Sequence, residues 1–381
     1  MDVLVVGAGM VGAACAYYCA AAGLRVGVVE RGAVASGTTS AGEGNILVSD
    51  KEPGPELELA SLSVRLWAAL GERLGGFELE AKGGVVVARS PEALAGLAAL
   101  AAEQRACGIT ADAVDPAGLA ELEPRLTRDV TGGVYYPQDM QVQPMLAAAE
   151  LLRHARSLGA TVHTGTSVLE FRRGADGAIT GVRTSAGELS ARWVVNAAGT
   201  WGGEVAALAG APVPVLPRRG FILVTEPLPA GAIRHKVYSA DYVANVASSD
   251  AGLETSVVVE GTRAGTVLVG ASRERVGFDR TMSLPVLRKL AAQAVGLFPF
   301  LAEVNLLRSY VGFRPYCPDH LPVIGPDPRV PGLVHACGHE GAGIGLSAAT
   351  GHLIAQTLTG AVPDLDLTPF RPDRFAAEVV S

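Results

Sequence analysis

A chain of 381 residues with 49% hydrophobic side chains can bury an extensive core, and it suits one large domain or two interwoven domains. Its formal charge of −7, without a basic run, argues against nucleic acid as a partner. No uncharged apolar run is long enough to predict a membrane-spanning helix, and an apolar strand pattern from residue 2 without a basic segment before it argues against a secretory signal.

The cysteines show no metal-ligand spacing and are odd in number. They are Cys15, Cys19, Cys107, Cys317 and Cys337. Cys15 and Cys19 lie in a segment with helical character, where buried thiols that act as small apolar groups are expected. The sequence therefore predicts a reduced, cytoplasmic protein without a bound metal ion or iron–sulfur cluster.

The segment from Met1 to Glu30 has a strand–helix–strand pattern around a glycine-rich turn. In Gly7-x-Gly9-x-x-Gly12, the glycines permit a tight turn, a close approach of pyrophosphate to the backbone and packing of the helix on the strand. The carboxylate of Glu30, at the end of the second strand, can accept hydrogen bonds from a ribose hydroxyl. The pattern predicts dinucleotide binding, with a structural glycine turn as the alternative, and it does not separate NAD from FAD.

The other elements follow from apolar spacing, prolines and glycine turns. Helices are predicted over residues 13–22, 53–74, 91–106, 115–124, 144–158, 284–297 and 343–358, with another beginning near 200. Strands are predicted over residues 2–7, 26–29, 85–88, 133–137, 161–164, 168–171, 179–183, 188–191, 193–199, 221–225, 257–260, 266–269, 309–317 and 332–336. The β segments between 218 and 270 favour an antiparallel sheet separate from the parallel one, and the pattern of residues 241–246 assigns them to neither helix nor strand.

A second glycine-rich turn joins a strand to a helix near the end of the sequence. Gly338, Gly341, Gly343 and Gly345 remove side chains, so that a flat ligand can lie against the backbone at a helix N-terminus. The alternative is a helix packed closely on a strand. Two such turns at opposite ends of the chain suit a long cofactor such as FAD better than a nicotinamide dinucleotide.

Arg314 is the candidate for binding a substrate carboxylate. It lies in an otherwise uncharged strand-like stretch, and its planar guanidinium can donate two hydrogen bonds to a carboxylate, although a structural ion pair is an equal alternative. Tyr242 and His339 are further candidates near such a site, against packing or helix-capping roles. No nucleophile-elbow, zinc-protease or Walker motif occurs, which is in keeping with chemistry performed by a cofactor.

These motifs together resemble the D-amino-acid oxidase family of FAD enzymes. The resemblance runs the whole length of the chain and rests on these segments: Gly7 to Gly12 with Glu30-Arg31, the loop 36–45, Asn196 to Trp201, Gly312-Phe-Arg-Pro and Gly338-His-x-Gly. Residues 41–51, 314–325 and 338–345 look closest to the subgroup of glycine oxidases, flavin subunits of hydrogen cyanide synthase and opine oxidase, and β subunits of D-hydroxyproline and L-proline dehydrogenases.

The resemblance implies non-covalent FAD, bound by the ADP half at the first glycine turn and by the flavin at the second. The cofactor-binding residues it implies are Gly7, Gly9, Met10, Val11, Gly12, Glu30, Arg31, Thr38, Thr39, Ser40, Gly44, Asn45, Val168, Ala198, Gly199, Trp201, Gly341, Gly343, Ile344 and Gly345. Arg314 matches the arginine that binds the substrate carboxylate. Two departures stand out: Phe221 replaces a glutamine found in many relatives, and Gly312 occupies the position of the cysteine that links flavin in covalent relatives, with Cys317 a few residues beyond.

The fold expected from this resemblance is α/β of mixed α+β character, with a Rossmann-like FAD-binding domain interleaved with an antiparallel-sheet substrate domain. The FAD-binding domain is predicted to comprise residues 1–80, 145–217 and 310–381, and the substrate domain residues 81–144 and 218–309. The pocket is expected from residues 135–140 and 218–270.

The predicted function is FAD-dependent oxidation of the C–N bond of a small α-amino or secondary amino acid, of the D-amino acid, glycine, proline, hydroxyproline or opine type. Hydride transfer to flavin N5 would give an imine. Three alternatives stay open: the flavin subunit of a hetero-oligomeric dehydrogenase that passes electrons to partner subunits, an NAD-linked dehydrogenase, and a non-enzymatic flavin-binding partner. A homo-oligomer or partner electron-transfer subunits are both compatible with the sequence.

Overall fold

The computed structural model describes residues 1–246 and 250–375. Residues 247–249 of the predicted segment 218–309 lie outside the described residues, and so do residues 376–381 of the predicted segment 310–381. Within the described residues, the helices are α1 (Met10–Ala21), α2 (Pro55–Arg73), α3 (Pro91–Ala106), α4 (Pro116–Leu122), α5 (Pro144–Ser157), α6 (Gly202–Leu208), α7 (Ala240–Val246), α8 (Leu284–Leu297) and α9 (Gly343–Thr359).

The strands are β1 (Val3–Val6), β2 (Val26–Val29), β3 (Asn45–Ile46), β4 (Gly84–Ala88), β5 (Asp112–Val114), β6 (Gly132–Tyr136), β7 (Met140–Gln141), β8 (Thr161–His163), β9 (Val168–Arg173), β10 (Ile179–Thr184), β11 (Gly187–Ser190), β12 (Trp193–Asn196), β13 (Leu216–Thr225), β14 (Lys236–Ser239), β15 (Glu254–Gly261), β16 (Val267–Arg273), β17 (Leu306–Tyr316), β18 (Val323–Pro326) and β19 (Leu333–Cys337).

Helix starts are set by proline and by polar caps, as the sequence predicts. Proline occupies the first turn of α3, α4 and α5, where its missing N–H costs no hydrogen bond. Before these prolines, Ser90, Asp115 and Gln143 accept hydrogen bonds from first-turn amides. Sequence spacing and capping therefore fix these boundaries to within a residue or two.

A six-stranded sheet has the strand order β18-β19-β12-β1-β2-β8, and all its neighbours are parallel except β18 and β19. Val3 to Val6 are buried, as expected for a parallel strand covered on both faces. Helices α1 and α9 pack against each other on this sheet, and a Cβ at Gly351 of α9 would lie 2.6 Å from the backbone of Ala14. This close crossing brings the N-termini of the first and last long helices to the same edge of the sheet.

An eight-stranded sheet has the order β17-β13-β16-β15-β14-β4-β6-β5, antiparallel except for the parallel pair β14 and β4. Helix α8 packs on one face, where Leu290 and Phe298 are buried in a cluster with Phe221, Leu223 and Val259. The small antiparallel sheets β11-β10-β9 and β3-β7 complete the described architecture.

The predicted fold class, mixed α/β with a parallel sheet and a separate antiparallel one, is confirmed. The unassigned segment 241–246 belongs to helix α7, and the strand predicted over 221–225 begins earlier, at Leu216. The domain boundaries stay a prediction; strands β13 and β17 run across the proposed boundaries at 217/218 and 309/310. No helix of the described residues is long and apolar enough to cross a membrane.

Candidate active site

A cavity of about 510 Å³, here called the central cleft, lies between the carboxyl edge of the six-stranded sheet and the face of the eight-stranded sheet. It is lined by both ends of the chain. The predicted site residues that line it are Gly7, Gly9, Met10, Val11, Glu30, Arg31, Thr38, Thr39, Asn45, Val168, Ala198, Gly199, Trp201, Tyr242, Arg314, His339, Gly341, Gly343 and Ile344. Four predicted site residues do not line it: Gly12, Ser40, Gly44 and Gly345.

The turn between β1 and α1 has no room for side chains. Gly7 adopts a φ of +109°, and a Cβ there would lie 2.4 Å from the carbonyl oxygen of Ala197. A Cβ at Gly12 would lie 2.0 Å from the carbonyl oxygen of Gly7, so this glycine permits the packing of helix on strand. The N-cap of α1 is Gly9 and has no side-chain cap, although Met10 N donates to Thr39 Oγ1 at 3.0 Å. The first turn of α1 therefore offers backbone N–H groups to an anion in the cleft.

Glu30 is fixed in place at the end of β2. Its carboxylate accepts hydrogen bonds from Ala8 N at 2.9 Å and from Gly32 N at 2.7 Å. Beside it, the guanidinium of Arg31 lies 3.9 Å from the ring centroid of Trp201. Trp201 in turn stacks on Phe278 with ring centroids 5.4 Å apart. The carboxylate keeps lone pairs that can accept bonds from ribose hydroxyls at the rim of the cleft.

The loop 36–45 joins the two sheets. Thr38 Oγ1 and Thr200 Oγ1 are 2.9 Å apart, and both donate to the carbonyl oxygen of Phe313 at 2.8 Å. Two predicted cofactor residues of this loop have local structural contacts instead of a place in the lining. Ser40 Oγ donates to Gly37 O at 3.0 Å, and a Cβ at Gly44 would lie 1.8 Å from Val142 O.

The second glycine turn lies across the cleft from the first. Helix α9 begins at Gly343, and its N-cap residue Ala342 provides no side-chain cap. A Cβ at Gly341 would lie 3.5 Å from Arg314 Nε, so this glycine keeps the backbone close to the guanidinium. Gly345 has a packing role: a Cβ there would lie 3.1 Å from Asn45 O. The bare backbone and the uncapped helix end fit a flat, anionic ring placed against them.

Arg314 points its guanidinium into the cleft. Its Nη1 donates to Ser272 O at 2.8 Å, and a Cβ at Gly220 would lie 2.3 Å from that nitrogen. Within residues 1–246 and 250–375, no carboxylate lies within 4.0 Å of it, so the structural ion pair is not observed. Desolvation and the neighbouring Arg273 lower the pKa of Arg314. A desolvated cation of this kind is stabilised by an anionic ligand.

Tyr242 and His339 line the same cleft but differ in their contacts. The Tyr242 ring packs edge-on against Tyr238, and burial raises the pKa of its hydroxyl. His339 is buried, its Nε2 is 2.9 Å from Thr350 Oγ1 of α9, and burial lowers its pKa to about 3. The imidazole is therefore neutral at ordinary pH.

Phe221 and Cys317 both lie away from the cleft. Phe221 is fully buried in the core beneath the eight-stranded sheet, while its neighbours Gly220 and Ile222 line the cleft. Cys317 is buried in a separate apolar cluster with Cys337. Gly312 lines the cleft and packs so closely on Ala41 that a Cβ there would be 2.7 Å from it. No cysteine among the described residues lines the cleft, and the non-covalent binding of FAD stays a prediction.

Several charged residues beside the cleft are missed by the sequence motifs. Glu43 lines it, and buried Lys236 and Glu260 lie next to Glu43. The charge of Glu43 within a loop of small residues is the only signal that the sequence offers. From the expected pocket segments, Gly220, Ile222 and Tyr242 line the cleft, whereas residues 135–140 do not.

Comparisons with known proteins agree with this geometry. Residues 2–357 match the sequence profile of the family described as FAD dependent oxidoreductase (DAO). The chain is 30% identical to glycine oxidase of Geobacillus kaustophilus over 99% of this chain and 98% of that protein. The crystal structure of glycine oxidase from the same organism superposes with a TM-score of 0.88 at 29% identity, covering 98% of each chain.

Two further proteins are similar to this chain. Hydrogen cyanide synthase subunit HcnC of Pseudomonas aeruginosa is 35% identical over 70% of this chain, and the match spans 60% of the length of that relative. The crystal structure of L-proline dehydrogenase from P. horikoshii shares the fold, with a TM-score of 0.90 at 24% identity over 99% of this chain and 98% of that one. With the profile matched over residues 2–357 and a glycine turn from each end of the chain lining one cleft, the chain belongs to the DAO family of FAD-dependent oxidoreductases.

Proposed function

We propose that this flavoprotein oxidises the C–N bond of a small α-amino acid or secondary amino acid. The observation that carries the proposal is the position of Arg314. Its guanidinium lies in the cleft beside the second glycine turn, half-buried, held by Ser272 O at 2.8 Å and without an acidic partner among the described residues.

A carboxylate is the ligand that this arrangement favours. Desolvation and the positive charge of nearby Arg273 both disfavour the charged guanidinium of Arg314, so a carboxylate that enters the cleft and contacts this guanidinium stabilises it. Because the Ser272 carbonyl occupies only one N–H of Arg314, the rest of the planar donor set is left for a bidentate contact. This contact would fix where the Cα–H of the substrate lies.

The protein's contribution is binding and orientation. When bound, FAD accepts the two electrons and the hydrogen that leave the substrate Cα. We infer that Gly7, Gly9 and the first turn of α1 hold the pyrophosphate, Glu30 the ribose, and the second glycine turn the flavin ring. The substrate reacts with its amine neutral, and the imine that forms is hydrolysed by water. No nucleophile or strong base is needed for this role.

The relatives support a small substrate without fixing it. The protein named glycine oxidase aligns with nearly the whole chain, and the protein named L-proline dehydrogenase shares its fold. Both names favour a small primary or secondary amino acid as the substrate. The partner electron-transfer subunits and the cytoplasmic location stay predictions. Tyr242 and His339 stay candidates for substrate contact.

Anaerobic bleaching of the flavin absorbance tests the proposal. The purified holoenzyme is mixed with glycine, sarcosine, both prolines, hydroxyprolines and opines, and we expect at least one of them to bleach it. Bound flavin that no member of the panel bleaches would favour the non-enzymatic alternative. A colourless protein that reduces NAD⁺ would favour the nicotinamide alternative. An oxygen electrode beside a dye-reduction assay then separates an oxidase from the flavin subunit of a dehydrogenase complex.

A further inference from the structure

A buried group of charged residues lies against the central cleft, on the side formed by the eight-stranded sheet. We call Glu43, Asn45, Lys236 and Glu260 the Glu43 cluster. Lys236 Nζ is 2.6 Å from Glu260 Oε2 and also donates to Asn45 Oδ1. Glu260 accepts from the backbone N–H of Gly44 with both oxygens at 3.2 Å. Glu260 and Lys236 thus form an ion pair with each other, and neither residue lines the cleft.

Glu43 differs from its neighbours because one of its oxygens has no partner. Oε2 is 3.3 Å from Asn45 Nδ2 and 3.8 Å from Lys236 Nζ. Oε1 is buried and makes no hydrogen bond to any described residue, although the side chain is only 5% exposed and lines the cleft. A buried carboxylate oxygen without a donor is costly unless a ligand supplies one.

The surroundings of Oε1 are kept open by a glycine. A Cβ at Gly270 of β16 would lie 2.8 Å from Glu43 Oε1, so any side chain there would fill the space in front of the oxygen. Two residues further along β16, the carbonyl of Ser272 holds Arg314. Glu43 Oε1 and the guanidinium of Arg314 thus lie beside the same strand, and both residues line the cleft.

The charges near Glu43 favour a cation. The carboxylates of Glu43 and Glu260 both lie within 4.0 Å of the same ammonium group, that of Lys236. Burial and repulsion by Glu260 raise the pKa of Glu43, whereas Lys236, Arg314 and the Asn45 amide lower it, and the pKa stays above its ordinary value. Lys236 is the one cation among the described residues within ion-pair distance of Glu43, while Arg314 acts on Glu43 from farther away and has no carboxylate within 4.0 Å among the described residues. The cleft is complementary to a ligand with a carboxylate at one end and an amine N–H donor at the other.

We propose that Glu43 Oε1 accepts a hydrogen bond from the amine nitrogen of the substrate while Arg314 binds its carboxylate. This inference rests on the proposed function and names the residue that recognises the amine of its substrates. Acids of the same shape without an amine bind through Arg314 alone. Glu43 is then the residue that discriminates amino acids from other small carboxylates.

The variant Glu43→Gln tests this assignment because it keeps the shape and removes the charge. Binding is measured on the flavin-loaded enzyme, by anaerobic flavin reduction for glycine and proline and by perturbation of the flavin spectrum for acetate and tetrahydrofuran-2-carboxylate. We expect the dissociation constants of the two amino acids to rise at least about tenfold and those of the two amine-free acids to change less than about twofold. Arg314→Met should weaken all four ligands.

Glu260→Gln is the matched control. It changes an equally buried carboxylate of the same cluster that does not line the cleft, so it should lower stability while keeping the ratio of amino acid to amine-free acid affinity. If Glu43→Gln does not retain flavin, Glu43→Asp retains the charge on a shorter side chain, and the same selective loss for amino acids is expected from it.

Equal changes for both ligand classes in either Glu43 variant, or no change for the amino acids, would overturn the assignment while leaving the proposed function intact. A wild-type enzyme that no amino acid reduces would remove the proposed function, and this inference with it. Selective loss of amino acid binding is the single outcome that supports both.

Discussion

The two sides of the central cleft are built from different parts of the polypeptide. On the side of the six-stranded sheet, backbone N–H groups, glycines and the anchored carboxylate of Glu30 form the surface. On the side of the eight-stranded sheet, the surface carries side-chain charges from distant segments, including Glu43 and Arg314. The first side suits a large cofactor of fixed shape, and the second suits a small ligand recognised by its charges.

We call the side of the six-stranded sheet the backbone-built side, and the first test of the comparison adds a side chain to it. In Gly12→Ala, the new Cβ would lie 2.0 Å from Gly7 O, and a backbone oxygen cannot move aside without opening the turn. We expect protein that is purified without flavin or does not fold, as judged by flavin absorbance and circular dichroism.

Gly96→Ala is the matched control for that substitution. Gly96 lies inside helix α3, and a Cβ added there would have nothing within 4 Å. Alanine should therefore raise the free energy of unfolding by about 0.5–1 kcal/mol and leave flavin content unchanged. A Gly12→Ala protein with the flavin spectrum of the wild type would show that the close approach is not required.

We call the side of the eight-stranded sheet the charged side, and the second test concerns Asp139, a buried carboxylate behind it. Asp139 accepts hydrogen bonds from Val48 N at 2.9 Å and from Ser49 Oγ, and Tyr238 donates to it at 3.2 Å. Burial raises its pKa from 3.8 to about 7. Between these values the folded protein keeps a proton that the unfolded chain has lost, so this group's contribution to stability falls as pH rises.

Asp139→Asn removes this titration. Its free energy of unfolding relative to wild type should therefore increase as pH rises from about 4 to about 7, by at most about 4 kcal/mol. Urea unfolding at several pH values measures the difference. Asp112→Asn, at an exposed position of β5, should give a curve parallel to that of the wild type. Parallel curves for Asp139→Asn as well would refute the raised pKa.

The third test separates the two sides directly. Arg314→Ala should lower kcat/KM for the amino acid substrate by a factor that corresponds to about 2–4 kcal/mol of transition-state stabilisation, because it removes a carboxylate contact shielded from water. Flavin should stay bound. Steady-state kinetics and the flavin spectrum give both readouts. Arg308→Ala is the control, because Arg308 lies exposed on the same strand β17. Unchanged turnover in Arg314→Ala would discard its role.

The backbone-built side is the part that sequence reasoning predicts well. The turn Gly7 to Gly12 and the acid Glu30 lie within one strand–helix–strand unit, so their spacing along the chain fixes their spacing in the fold. The prolines at the first turns of α3, α5 and α8 likewise set helix starts from local chemistry. Such features depend on neighbours in sequence.

The charged side depends on neighbours in space. Glu43 approaches Lys236 and Glu260 only because the loop 36–45 crosses the eight-stranded sheet, and no local spacing reports that crossing. Arg314 is predictable because it interrupts an apolar strand, which is a local signal; its lack of an acidic partner among the described residues has no such signal. Helix α7, which carries Tyr242, follows no clear apolar period, and its sequence therefore does not predict it.

The smallest expected effect is at the rim of the central cleft, where backbone groups and charged side chains lie close together. The guanidinium of Arg31 lies 3.9 Å from the ring centroid of Trp201, and both residues line the cleft near Glu30 on the side of the six-stranded sheet. Arg31→Gln should raise the dissociation constant of FAD about two- to fivefold, because without this cation–π contact, worth about 0.5–1 kcal/mol, the Trp201 ring has to be ordered when FAD binds. Reconstitution of the apoprotein with FAD, followed by flavin fluorescence, measures it.

Arg192→Gln is the matched control for the rim contact, since Arg192 lies 5.6 Å from the Trp193 ring centroid and does not line the cleft. It should leave FAD affinity unchanged. A loss of about a hundredfold or more in Arg31→Gln, equivalent to roughly 2.7 kcal/mol, would exceed what this contact can supply. A side-chain charge, and not the backbone, would then dominate cofactor binding on this side, and the contrast between the two sides of the cleft would be wrong.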